Sequence, residues 1–157
     1  LGTEYKDFGG DYTAVHHSQF IAELLASGRL SLAKAAPGSG TITYHDPCYL
    51  GRYAGQFESP RELIKKAMGQ EKLVEMGLSR QSSFCCGAGG GNMWYEMDDE
   101  KDRMNLERVR QAAATGAATV ATACSFCGIM MDDGVKDEGL EESLAVKDVA
   151  EIVAEAL

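Results

Sequence analysis

No stretch of this 157-residue chain comes near the ~18 consecutive apolar residues that a membrane span requires. No charged-then-apolar leader opens it either, so the segment itself is expected to be soluble. Basic residues are few: 15 lysines and arginines face 24 aspartates and glutamates, for a net charge of −9. A nucleic-acid partner would want a basic face, and none is expected. That acidity suits a basic patch on another protein, although a negative balance more often serves solubility alone. Nucleotide motifs are missing as well. The glycine run from Gly87 has Asn92 where a dinucleotide fingerprint needs glycine, and no Lys-Ser/Thr pair follows it. No separate acid–base pair stands out that would locate substrate turnover. The first residue is Leu1 rather than methionine, which reads as a processed chain or an excised piece.

What is present is enough sequence for one domain with a core of its own, 45% hydrophobic and 25% charged, which argues against disorder. Short β-rich runs alternate with helical patterns. "YTAVH" (12–16) reads as a strand, followed by a helix capped by Ser18, with Phe20, Ile21, Leu24 and Leu25 on one face and Gly28 at its end. A small-residue connector leads to a second strand, "TITYH" (41–45). In "ESPRELIKKAMG", Ser59, Pro60 and Glu62 form a capping-box pattern, with Leu63, Ile64, Ala67 and Met68 as the buried stripe. "KLVEM" (72–76) is a third strand candidate, residues 98–115 a charged helix, and "AATVATA" (117–123) a fully apolar strand. "SLAVKDV" leads into a last helix carrying Val149, Ile152, Val153 and Ala156. Strands separated by helices imply βαβ units, hence an α/β fold. A mainly parallel sheet of four to five strands is expected, flanked by helices.

The two ends also resemble each other. Lys6-Asp7 matches Lys136-Asp137, Ala14-Val15 matches Ala145-Val146, and Ala22-Glu23 matches Ala154-Glu155, at offsets drifting from 130 to 132. Residues 1–28 therefore read as the tail of a preceding copy of the same domain, residues 29–40 as a connector and residues 41–157 as the domain proper.

Five cysteines are a high and odd count, which suits metal ligands or redox groups in a reducing compartment better than a disulfide scaffold. They fall in three places. Cys48 follows the second strand in "HDPC"; Cys85 and Cys86 open the glycine loop "SSFCCGAGGGNMW"; Cys124 and Cys127 start a helix in "CSFC". In an open parallel sheet the carboxyl ends of the strands face one crevice, so three such loops can bring five sulfurs to one point. C-x-x-C at a helix start chelates one centre, and the helix N–H groups favour the thiolates. Five thiolates exceed the four that zinc accepts and the Cys₄ set of a cubane cluster. Three alternatives stay open beside a multi-iron cluster: zinc held by four of the thiols, a thiol–disulfide exchange site at "CSFC", and buried small hydrophobes. Glycines 87, 89, 90 and 91 would let backbone N–H groups approach the centre. His45 reads as an orienting or hydrogen-bonding group near it, and His16 and His17 as a surface pair or cap. Arg52 could offset cluster charge, and Met93, Trp94, Tyr95 and Met97 could cover the centre from water.

Together, "HDPCYLGR", "SSFCCGAGGGNMW" and "ATACSFCGIMMDDG" resemble the CCG (cysteine-rich) domain of the B and D subunits of heterodisulfide reductase and their relatives. The phrases "HDPCYLGRY" and "FCCGAGGG" are most like the bacterial iron–sulfur oxidoreductases associated with electron-transferring flavoprotein. The resemblance runs from about residue 41 to the end. It implies a [4Fe-4S] cluster, non-cubane in the best-known members, on Cys48, Cys85, Cys86, Cys124 and Cys127. Members often have proline inside the last C-x-x-C, where this chain has Ser125. The family also implies a tandem upstream CCG copy and ferredoxin-type regions in a longer chain, with an electron-transferring flavoprotein as partner. The location it implies is cytoplasmic, or the cytoplasmic face of the membrane through the parent protein. The expected function is electron transfer within an oxidoreductase, the isolated domain itself lacking turnover. The alternative is a zinc-binding structural or docking module for a flavoprotein.

Overall fold

Three short strands set the frame: β1 (Ile42–Tyr44), β2 (Thr119–Thr122) and β3 (Ala145–Asp148). They form one parallel sheet in the order β1-β2-β3, with Ile42 opposite Thr119 and Val120 opposite Val146. The computed structural model describes residues 3–33, 40–94 and 103–157 of the chain. Among the described residues five α-helices accompany the sheet: α1 (His17–Ala26), α2 (Glu58–Met68), α3 (Met104–Ala113), α4 (Ser125–Asp137) and α5 (Val149–Ala154).

Parallel strands need crossovers, and the helices supply them on both faces of the sheet. Side chains alternate along a strand, so neighbouring residues of β2 feed different cores. Ala121 joins Ile42, Tyr44, Leu63, Ile64, Val149, Ile152 and Val153 under α2 and α5, with Ile21, Ala22 and Leu25 of α1 packed at the edge. Val120 joins Met76, Val109, Ala112, Met131, Val135 and Leu144 under α3 and α4. Leu63 and Ile64 are fully buried, and truncating either to alanine would cost ~2–5 kcal/mol. At Gly134 a β-carbon would sit 2.9 Å from Val109 Cγ2 and 3.2 Å from Asn105 O, so the glycine lets α4 approach α3 closely.

The α/β class, the parallel pairing and the helical flanks agree with the sequence reading; the strand count does not. Among the described residues three strands form rather than four to five. Residues 12–16 have no strand partner among the described residues. His16 instead caps α1: its Nδ1 accepts the Ser18 N–H at 3.2 Å, while the Gln19 side chain accepts the His16 N–H at 3.2 Å. Segment 72–76 reaches the sheet at one point, a parallel bridge of Leu73 to Ile42 with Val74 N–H donating to Ile42 O at 2.8 Å. Ser18 is therefore not the cap of α1, and Phe20 is half exposed rather than in its buried stripe. Ser59 is not the cap of α2 either. That helix starts at Glu58, and the Ser59 hydroxyl is engaged with Ser18 Oγ at 3.1 Å, tying α2 to α1. Of the helix expected over 98–115, Met104–Ala113 forms, and residues 98–102 lie outside the described residues. At the chain's end, Asp148 caps α5 as His16 caps α1, with Glu151 in the place of Gln19.

Candidate metal centre

Parallel pairing puts the carboxyl ends of β1 and β2 on one edge, and the cysteines gather there. β1 runs directly into His45-Asp46-Pro47-Cys48. Pro47 disfavours helix at the residue before it, and the chain turns into the π-helical turn Tyr49–Tyr53 only after Cys48. β2 runs into Ala123 and Cys124, the latter being the N-cap of α4, with Cys127 in the first turn. A cavity of about 860 Å³ opens on this edge; Cys48, Cys124 and Cys127 line it together with His16, His17 and Asp148. Cys86 comes from the third loop: its Sγ lies 3.3 Å from Cys127 Sγ. Cys86, Cys127, Met130, Ala88, Met93 and Cys124 pack as one cluster. Cys85 is half-buried beside Cys86, its sulfur accepting the Gly87 N–H at 3.3 Å. None of the five thiols is in a disulfide.

Electrostatics separate the crowded thiols. Hydrogen bonding to Cys127 holds the Cys86 thiol well below its ordinary value against the cost of burial, helped by His45 and the Ala88 N–H. Cys124 is held down to about 6 by Cys127 first, then by the N–H groups of Cys127 and Phe126 at the start of α4. Cys127, facing both, is pushed up. Backbone N–H groups thus serve Cys85, Cys86 and Cys124, as a turn of bare backbone and a helix start should. Gly87 has φ +89°, and a β-carbon there would meet Met104 Cβ at 3.2 Å. Such a position suits glycine alone.

A buried frame holds the loops in register. Asp46, between His45 and Pro47, takes two hydrogen bonds from Arg61 of α2, at 2.6 Å and 2.9 Å, and one from the Arg80 N–H at 2.7 Å. Burial alone would raise the Asp46 carboxyl; the Arg61 hydrogen bonds, then the Arg80 N–H, hold it below the ordinary carboxylate value. Arg61 also donates to Glu75 at 2.6 Å and 2.8 Å and lies over the Tyr44 ring, 4.9 Å from its centroid. Ser83 Oγ links the cysteine loops by donating to Asp46 O at 3.3 Å and accepting from Arg108 Nη2 at 3.2 Å. Arg108 of α3 is fully buried; its Nε donates to His45 Nδ1 at 2.9 Å, and its Nη1 donates to Leu78 O and Gln111 Oε1. A ring nitrogen of His45 lies with Cys86 Sγ and Cys127 Sγ, all within 4.8 Å of one another. Burial keeps His45 below its ordinary value, hence neutral.

The structure brings Cys48, Cys124 and Cys127 to one cavity wall and Cys86 into contact with Cys127. Arg52 does not need a cluster to explain it, since its guanidinium donates to the Ser83 carbonyl and ties the Cys48 loop to the Cys85 loop. Met93 packs against the sulfurs, whereas Trp94 is 79% exposed; Tyr95 and Met97 lie outside the described residues. Met130, read as ordinary core, belongs to the sulfur cluster, while Met131 is core under α3 and α4. Sequence reasoning missed Arg61 and Arg108, because an arginine inside a charged helix carries no sign of burial.

The cysteine-rich domain family (CCG) matches residues 42–132. The chain is 40% identical over 98% of its length to a Bacillus subtilis protein named "Probable iron-sulfur-binding oxidoreductase FadF", of which it covers 21%. It is 39% identical over its whole length to EtfAB:quinone oxidoreductase of Syntrophomonas wolfei, covering 22% of that protein. It is 40% identical over 93% of its length to the D subunit of the dihydromethanophenazine:CoB–CoM heterodisulfide reductase of Methanosarcina barkeri, covering 34% of it. The chain thus spans between a fifth and a third of the length of these relatives. No solved structure matches the chain.

Proposed function

The chain belongs to the cysteine-rich domain (CCG) family, and from that premise we propose that Cys48, Cys85, Cys86, Cys124 and Cys127 hold one [4Fe-4S] cluster. On this reading the domain is an electron-transfer module of a larger oxidoreductase. The observation that supports it most is the meeting of three loops, with Cys86 and Cys127 sulfurs 3.3 Å apart and Cys48, Cys124 and Cys127 around one cavity.

The residues fit the group on their own chemistry. Soft thiols with lowered proton affinity at Cys86 and Cys124 suit iron and sulfide. N–H groups directed at cysteine sulfur offset the charge such a centre gathers on reduction. A cubane takes four thiolates, so use of all five would favour a non-cubane arrangement that Cys85 and Cys86 hold together. When bound, the cluster supplies reversible one-electron transfer. The cysteine sulfurs would hold it, Met93 and Met130, packed against those sulfurs, would keep water from them, and the arginine frame would keep the loops in place.

The context of the relatives extends the proposal. An electron-transferring flavoprotein is the proposed electron partner, on the strength of the relative named for EtfAB and quinone. The remainder of a longer chain, including a preceding CCG copy that ends in residues 1–28 and ferredoxin-type regions, would complete the path. The proposed location is the cytoplasm or the cytoplasmic face of the membrane, reached through that longer chain. Among the described residues no helix is long and apolar enough to cross a membrane.

Anaerobic reconstitution with ferrous iron and sulfide tests the cluster. A brown chromophore with an EPR signal in one redox state, and about four irons per chain, is expected. Uptake of a single zinc, and never of an iron chromophore, would refute it and leave a docking module.

A further inference from the structure

A histidine ring nitrogen within 4.8 Å of two cysteine sulfurs looks at first like a third ligand. The polarity of its hydrogen bonds says otherwise. Arginine has donors only, so the 2.9 Å contact from Arg108 Nε occupies the lone pair of His45 Nδ1. A neutral imidazole whose Nδ1 accepts must carry its hydrogen on Nε2. Metal-binding histidines are wired the opposite way, giving their second N–H to a carbonyl or carboxylate so that the other nitrogen keeps its lone pair for the metal. Here Nδ1 is engaged by Arg108 and Nε2 carries the hydrogen, which leaves the ring no free lone pair for a metal.

Local rearrangement does not reverse this wiring. His45 is 1% exposed and Arg108 is fully buried. Arg108 is itself pinned by Leu78 O at 2.8 Å, Gln111 Oε1 at 2.9 Å and Ser83 Oγ at 3.2 Å. It cannot turn an acceptor toward His45, because it has none.

We propose that His45 is a fixed hydrogen-bond donor rather than a ligand of the centre. In this assignment Arg108 sets its tautomer, so that Nε2–H is directed at Cys86 Sγ and raises the reduction potential of whatever iron that sulfur binds. His45 and Arg108 are positioning residues that act through the thiolate. A donor on a cluster thiolate disperses negative charge and favours the reduced state. A buried cation behind the imidazole acts in the same direction. The inference rests on the proposed cluster, yet one part of it can be read without iron.

In the iron-free chain, ¹⁵N shifts of His45 are expected to show Nε2 protonated and Nδ1 as the bare, accepting nitrogen; the reverse pattern overturns the proposal. In the reconstituted chain, redox titration followed by EPR compares the wild type with His45→Gln and His45→Leu at equal iron content. Glutamine keeps an acceptor for Arg108 and an N–H for sulfur, so its potential is expected to stay with the wild type; leucine keeps neither, and its potential is expected to fall. An unchanged potential in His45→Leu overturns the donor role. Should that variant fail to fold, nitrogen hyperfine coupling in the wild type decides alone: weak coupling supports a donor, and coupling typical of a coordinated imidazole refutes it. A wild-type chain that takes up no iron removes the cluster reading, and the claim about potential with it. An iron-loaded chain with the wrong tautomer or a coordinated nitrogen removes this inference only.

Discussion

Replacing Arg61 with methionine attacks the frame beneath Cys48 while keeping the hydrocarbon bulk. The Arg61 side chain is 0% exposed and the Asp46 side chain 2%, joined by two hydrogen bonds of 2.6 Å and 2.9 Å. Removing one partner of a buried pair strands the other charge, at a cost of ~3–5 kcal/mol. Two adjustments bear on the figure. The Arg80 N–H still serves one Asp46 oxygen, which pulls toward the lower end. The second arm, Arg61 to Glu75, ends on a carboxylate whose side chain is 36% exposed, so water screens that arm and it adds ~0–1 kcal/mol at most. For a chain of this length each kcal/mol moves Tm by ~2–4 °C, so a fall of roughly 6–20 °C is expected. Thermal unfolding of the reduced, iron-free chain, followed by far-UV circular dichroism, measures the fall in Tm, and urea unfolding of the same chain gives the free-energy cost. Arg61→Met combined with Asp46→Leu should recover part of the loss, since no charge is then stranded. A single-variant cost under about 1 kcal/mol, or a double variant worse than the sum of the singles, would refute the reasoning.

Two further outcomes are expected. The Asp46 carboxyl titrates below its ordinary 3.8 in the folded chain, so the stability it contributes is complete above that value and is lost as pH falls through the folded value. The urea midpoint of the wild type should therefore drop more steeply below roughly pH 4 than that of Asp46→Asn; parallel curves would contradict this. At Gly87, alanine must adopt φ +89° with its β-carbon 3.2 Å from Met104 Cβ, so Gly87→Ala should lower iron loading by displacing the Cys85–Cys86 loop. Full loading with an unchanged spectrum would contradict that placement.

Much of the scaffold was legible because its signals were local. The short apolar run around Val120, bounded by Gly116 and the C-x-x-C, reads as a buried strand, and a C-x-x-C before an amphipathic run marks the start of α4. The parallel sheet then determines that loops after strands share an edge. What failed depended on partners far away in sequence. Residues 12–16 have strand-like composition, but His16 is drawn into capping α1 and its Nε2 reaches Ala123 O at 3.0 Å. Leu73 makes a single bridge because the chain leaves β1 almost at once. Ser59 fits a cap pattern, yet its hydroxyl is spent on Ser18, 41 residues earlier. Arg61 and Arg108 were the least legible. Both sit in helices whose charges look solvated, and only the folded chain places them under Asp46 and His45. The cysteines could be read as a set, whereas the hydrogen bonds that hold their loops could not.

If five sulfurs from three loops share one inorganic centre, a serine replacement of any one of them must disturb it. Iron and sulfide content and the EPR spectrum would be measured after identical anaerobic reconstitution. All five variants, Cys85→Ser and Cys86→Ser included, are expected to lose iron or change spectrum relative to a wild type holding about four irons. A variant that keeps both the iron and the spectrum of the wild type would contradict the five-sulfur centre at that residue.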